Sequence, residues 1–157
     1  NPGLPTPWPL DIVIINMINT ALLTGHLVIT FLFLLSRFDV NFRCGGDRNN
    51  EAALHFKTLF REDRDTTVFN SFLNKEWGQE EQRCFSPFQK GRSFQLQFVI
   101  TKKGYKVTVD NKPFYEYSHR IPLERVNILQ VVGAVELKKI EIFKDSSTSR
   151  SASPESK

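Results

Sequence analysis

Four side chains in the middle of this sequence have types and spacing that suit one kind of chemistry. They are His55, Asn70, Trp77 and Glu80. An imidazole, a primary amide and a carboxylate have fixed, directional hydrogen-bonding geometry. An indole offers a broad flat apolar face. A sugar asks for both, since its hydroxyls donate and accept while one ring face presents C–H groups. Taken singly the four are unremarkable: His55 reads as a surface or satisfied core histidine, Asn70 as a turn residue, Trp77 as a packed loop aromatic and Glu80 as a solvated charge. Only their combination points to a binding site. Lys57 and Gln82 are secondary candidates on the same stretch.

Reaction chemistry finds no matching pattern. The sequence has no GxSxG, no Walker loop, no HExxH and no GxGxxG. Its three histidines, His26, His55 and His119, are far apart, and neither Cys44 nor Cys84 has a CxxC partner or an adjacent histidine. Glu80 and Glu81 are consecutive, so on a strand they face opposite ways and cannot act together as acid and base. No catalytic residue, metal ligand set or cofactor is therefore expected.

The elements that must position these groups have a period of two. Phe38, Val40, Phe42 and Cys44 alternate with Arg37, Asp39, Asn41 and Arg43. Phe94, Leu96, Phe98 and Ile100 alternate with Gln95 and Gln97, and Tyr105, Val107 and Val109 with Lys106 and Thr108. Such alternation marks half-buried strands. Asp110-Asn111 reads as a hairpin turn leading into residues 114–117. Residues 128–132 and 135–143, separated by Gly133, read as two further strands. No useful amphipathic helix occurs, and turn signals recur about every ten residues, so the fold class is all-β, an antiparallel sandwich or barrel. On a strand over residues 54–60, His55, Lys57 and Leu59 share one face and Leu54, Phe56 and Phe60 the other. On a strand over residues 67–73, Asn70 shares a face with Val68 and Phe72.

These segments resemble the galectin family of β-galactoside-binding lectins. HFKTLF (residues 55–60) is similar to the family's H-F-N-P-R-F, and VFNSFLNKEWGQEEQ (68–82) to its V-x-N…W-G-x-E-x-R. RFDVNF, CFSPFQKGRSFQLQFVI, YKVTVDNKPFYEYSHRIP and ILQVVGAVELKKIEIF follow the family's order. The resemblance covers residues 27–144. It implies a jelly-roll β-sandwich without metal that binds galactose-containing glycans, with His55 donating to the axial 4-hydroxyl, Asn70 and Glu80 bonding other hydroxyls, and Trp77 stacking on the ring. It further implies glycoconjugate partners, and pairing of two copies through sheet edges as a family habit.

Three positions depart from the family pattern. Lys57 stands in place of an Asn, Leu59 in place of the Arg that bonds the 4-hydroxyl, and Gln82 in place of the Arg that braces the Glu; Arg83 comes one residue late, which on a strand reverses its side chain. Hydrogen bonds to charged groups contribute about 1.5–3 kcal/mol each, so losing two guanidiniums removes about 3–6 kcal/mol, two to four decades of affinity. The expectation is a lectin with weakened or altered specificity. The alternative is a galectin-fold interaction module without lectin activity.

The chain has 157 residues, with 21 Lys+Arg against 17 Asp+Glu scattered without a stripe, so nucleic acid is not expected as a partner. Residues 12–36 carry no Asp, Glu, Lys or Arg, and 17 of the 25 are apolar. That length suits a membrane span, but Asn16, Asn19 and His26 would be costly in lipid, and no basic segment precedes it as in a signal peptide. Membrane attachment is the minority reading; early strands of the sandwich are the favoured one. The expected division is a Pro-rich and hydrophobic segment (1–26), the lectin-like domain (27–144) and a Ser-rich disordered tail (145–157). A count of only two cysteines fits a reducing compartment, so the expected location is the cytoplasm, with export that uses no signal peptide as a further location.

Overall fold

The computed structural model describes residues 11–16, 25–45, 51–60 and 64–144. The proline-rich start, residues 17–24 and the Ser-rich tail lie outside them. Ten strands account for most of what is described: β1 (Asp11–Asn16), β2 (Gly25–Arg43), β3 (Ala52–Leu59), β4 (Thr66–Leu73), β5 (Glu76–Trp77), β6 (Glu81–Arg83), β7 (Phe94–Ile100), β8 (Gly104–Val109), β9 (Lys112–Ser118) and β10 (Ile128–Lys144). One 3₁₀ turn, Leu123–Arg125, precedes β10. Every strand pairing is antiparallel.

Two long strands, β2 and β10, build both layers. Gly25 to Phe31 of β2 lie against β7, while Asp39 to Arg43 lie against β3. β10 runs alongside β2 through both stretches. One layer is thus the far part of β10, the near part of β2, then β7, β8 and β9. The other is β1, the near part of β10, the far part of β2, then β3 and β4, with β5 and β6 on the edge of β4. Between the layers the alternating aromatics meet. Phe98 of β7 packs edge-on against Phe42 and Phe56, with centroids 5.0 and 5.7 Å apart, and Phe69 of β4 stacks on Tyr115 of β9 at 4.3 Å. Edge-to-face and offset pairs of this kind add to simple area burial. The result is the expected all-β sandwich.

The uncharged window is strand wherever it is described. Leu27, Ile29, Phe31 and Leu34 are fully buried in the core. The flanks of β2 are also occupied, by β7 on one side and β10 on the other. A strand in the middle of a layer has no edge to mark with charge, which accounts for much of the run's composition. Among the described residues, no helix is long and apolar enough to cross a membrane.

One expectation needs correction. The two strands expected over residues 128–143 are a single strand. Gly133 has φ +150, and a Cβ there would lie 2.5 Å from the Phe38 Cα. The register slips between Gly133 and Val135, yet pairing to β2 continues on both sides. A bulge of this kind bends a strand and increases its twist without ending it. It allows β10 to follow β2 from one layer into the other.

Candidate functional site

The site forms on the outward face of the second layer, where cross-strand register sets two rows of side chains. In one row, Asn41 of β2 lies opposite His55 of β3, which lies opposite Asn70 of β4. In the next, Asp39 lies opposite Lys57, Lys57 opposite Val68, and Val68 opposite Gln82 of β6. Directly opposed residues on one face are in side-chain reach. His55, Lys57, Val68, Asn70, Trp77 and Glu80 together line a shallow cavity of about 360 Å³. The structure therefore brings all four primary candidates, and Lys57, to one place. Leu59 is half-buried further along β3 and is not among the lining residues.

Trp77 arrives there through a tight reversal. Asn74 and Lys75 both have positive φ, 55° and 65°, so β5 folds straight back on β4 and Trp77 lies opposite Phe72. Two consecutive residues of left-handed conformation make the hairpin turn whose twist matches paired strands. The indole is held between Phe72 (centroids 5.1 Å apart) and the His55 ring (5.0 Å) and remains 53% exposed. That leaves an apolar platform open to a ligand.

Glu80 reaches the same face through a bulge. Trp77 pairs with Phe72 and Glu81 with Phe69, so Gly78, Gln79 and Glu80 stand against only Asn70 and Ser71. On an unbroken strand, residues three apart point to opposite sides. The extra residue resets the alternation, placing Glu80 and Gln82 on the cavity side and Glu81 and Arg83 on the other. Gln82 Nε2 donates to Glu80 Oε1 at 2.5 Å. The neutral amide thus braces the carboxylate where the family pattern has a guanidinium. Arg83 does point away, as the one-residue offset requires: its Nε donates to the Phe114 carbonyl at 3.1 Å, and its guanidinium lies over the Phe85 and Phe114 rings.

The protonation of His55 is set by a chain of partners that begins at an arginine. Arg43 Nη1 donates to Gln130 Oε1 (3.4 Å), and an arginine can only donate. The same oxygen accepts from Asn41 Nδ2 at 3.0 Å. Asn41 Oδ1 is then the acceptor facing His55 Nδ1. Nδ1 carries the proton, and Nε2 of the neutral ring is an acceptor. Burial, with the positive charges of Lys57 and Arg43 nearby, lowers the His55 pKa to about 4. Near neutral pH the ring can accept a hydroxyl hydrogen at Nε2 but cannot donate there. This reverses the direction of the hydrogen bond that the family resemblance implies at His55. Asn41, Gln130 and Arg43 were missed in the sequence because their part depends on register across three strands. The alternation in RFDVNF signalled only that Asn41 faces outward.

Asn70 is nearly spent on the protein. Its Oδ1 accepts from the Ser71 amide (2.7 Å) and Arg120 Nη1 (3.1 Å), and its Nδ2 donates to the Gly78 carbonyl (3.0 Å). One amide hydrogen is left for a ligand. Lys57 makes no hydrogen bond or ion pair among the described residues, so its ammonium is uncommitted at the cavity wall. Opposite it, burial holds the Asp39 pKa above its ordinary value despite the opposing pull of Lys57 and Arg37. No three His, Cys, Asp or Glu side chains cluster as metal ligands among the described residues.

A family model for galactoside-binding lectins matches residues 17–142. The chain belongs to the galectin family. It is 45% identical to rat galectin-4 over 109 residues, covering 69% of this chain and 33% of the rat protein. It is 39% identical to human galectin-7 over 108 residues, covering 69% of this chain and 78% of the human one. The chain thus spans about a third of the length of the galectin-4 relatives it matches. Among solved structures, sheep galectin-11, described as a complex with glycerol, aligns with TM-score 0.69 and 28% identity, covering 89% of this chain and 99% of the sheep one. This galectin therefore carries the family's two-layered fold.

Proposed function

We propose that this galectin binds β-galactoside glycans in the cavity on β3 to β6, with an affinity and specificity altered by three of its residues. The observation that carries the proposal is the convergence of His55, Asn70, Trp77 and Glu80 on one cavity with the indole face open. Trp77 would stack on the apolar face of the sugar. The Nε2 acceptor of His55 would take a hydroxyl hydrogen, the free Asn70 amide hydrogen would go to a hydroxyl oxygen, and Glu80 would accept from another hydroxyl. Binding of this kind needs no turnover and no metal.

The departures give the site its own character. Leu59 supplies no donor where the family pattern has a guanidinium, and Gln82 braces Glu80 without charge. Together they leave lactose binding weaker by about 3–6 kcal/mol than a site with both arginines. Lys57 can donate but not accept, and it makes no hydrogen bond or ion pair among the described residues. It would favour galactosides that carry an anionic substituent.

Calorimetric titration with lactose, beside a glycan array that includes sulfated galactosides, tests the proposal. Binding that disappears in Trp77→Ala while the variant stays folded supports it. A folded wild-type protein that binds no glycan on the array overturns it and favours the interaction-module reading, for which the loss of Leu59's guanidinium equivalent is the supporting observation.

A further inference from the structure

We infer that Arg120 is a positioning residue for the sugar site, a clamp that sets the Gly78–Gln79–Glu80 bulge against Asn70. The inference rests on the galactoside reading of the cavity and names a residue outside its lining. Arg120 follows β9 in sequence and approaches from behind the bulge. Its Nη2 donates to the Gln79 carbonyl at 2.7 Å and pairs with Glu81 Oε2 at 2.8 Å, while its Nη1 donates to Asn70 Oδ1 at 3.1 Å. The guanidinium lies 4.8 Å from the centre of the Tyr117 ring, and Glu81 is held from its other oxygen by the Tyr115 hydroxyl at 2.6 Å.

Three features make this a clamp on function as well as on the fold. A bulge has lost part of its ladder of backbone bonds, so its shape needs outside support. Arg120 supplies that support at a carbonyl inside the bulge and at the carboxylate that closes it. Next, an arginine only donates, so its bond to Oδ1 fixes which end of the Asn70 amide faces inward. The remaining amide hydrogen is thereby directed to the cavity. Finally, a Cβ on Gly78 would lie 2.8 Å from Arg120 Nη1 and 3.4 Å from Asn70 Oδ1. The glycine beside Trp77 leaves the space the guanidinium occupies. A lysine cannot reproduce a planar fork that reaches three acceptors in different directions.

The test compares the wild type with Arg120→Met, Arg120→Lys and Gly78→Ala. Lactose affinity is measured by calorimetry, and amide hydrogen exchange at residues 78–81 without sugar. Arg120→Met is expected to weaken lactose binding about tenfold to a hundredfold and to speed exchange in the bulge while β7 and β8 stay protected. Arg120→Lys should recover part of each effect, and Gly78→Ala should mimic the loss with Arg120 still present. Variants that melt at lower temperature but keep wild-type affinity and wild-type exchange in the bulge overturn the inference, leaving Arg120 a purely structural residue. Wild-type protein that binds no lactose overturns the sugar reading and the ligand half of the inference with it. Unchanged exchange in the bulge overturns the clamp whatever the sugar result. If Arg120→Met does not fold, Gly78→Ala and Arg120→Lys decide between these outcomes.

Discussion

His55 gives its Nδ1 proton to Asn41 Oδ1, and this one bond decides what the imidazole can offer a ligand. With Nδ1 protonated and the ring neutral, Nε2 accepts. Replacing the amide by a carboxylate changes that. Asn41→Asp puts a negative charge against Nδ1–H, which favours the imidazolium and raises the His55 pKa from about 4 toward or above its ordinary 6.5. An NMR titration of the ring checks this, with the wild-type histidine staying neutral down to about pH 4.

The same depressed pKa makes stability depend on pH. The unfolded chain takes up the His55 proton near pH 6.5, the folded one only near pH 4. Between those values the unfolded state binds more protons, so stability rises with pH. His55's contribution is complete above 6.5 and is lost as pH falls toward 4. Urea unfolding at pH 7 and at pH 4.5 should show a larger loss for the wild type than for His55→Gln. Equal losses in the two proteins would refute it.

Gln82 stands within hydrogen-bonding reach of Glu80, so the brace can be strengthened by a single change. Gln82→Arg replaces a neutral donor with a charged one, and charge-assisted bonds are about twice as strong. Lactose affinity should rise about tenfold, and adding Leu59→Arg should recover more of the roughly two to four decades assigned to the two positions. Calorimetry on the single and double variants measures both steps. No gain from either would show that Glu80 does not bond the sugar and that an arginine at position 59 does not reach it.

Gly133 is the point where β10 bends past β2. Gly133→Ala would set a Cβ against the Phe38 backbone, in a φ region that L residues rarely adopt. The change should cost about 2 kcal/mol or more in unfolding free energy. Urea denaturation gives the value, and a loss below about 0.5 kcal/mol, the range of neutral surface changes, would contradict the tight crossing.

How far the sequence disclosed this molecule depended on the range of the interaction. Phe38, Val40, Phe42 and Cys44 are all buried as their alternation requires, and Asp110 and Asn111 turn the β8–β9 hairpin with φ of 50° and 67°. Those features follow from neighbours in the chain. The grouping of His55, Asn70, Trp77 and Glu80 was legible from family spacing, but its cause was not: a bulge that one extra residue forces between two pairings to β4. Arg120 lies 50 residues from the Asn70 it holds, and Gln130 is 89 residues from Asn41. No local pattern encodes contacts of that separation. In residues 12–36, composition could not separate a buried central strand from a membrane span, because both exclude charge. For residues 25–36, the pairing of β2 with β7 and β10 supplies the reason.

A crystal structure with lactose bound tests the central claim most directly. The account predicts the galactose ring stacked on Trp77, with one hydroxyl donating to His55 Nε2, another oxygen receiving the free Asn70 amide hydrogen, and Glu80 accepting from a further hydroxyl. Lactose bound away from Trp77, or a Trp77 face left empty at saturating sugar, would contradict it.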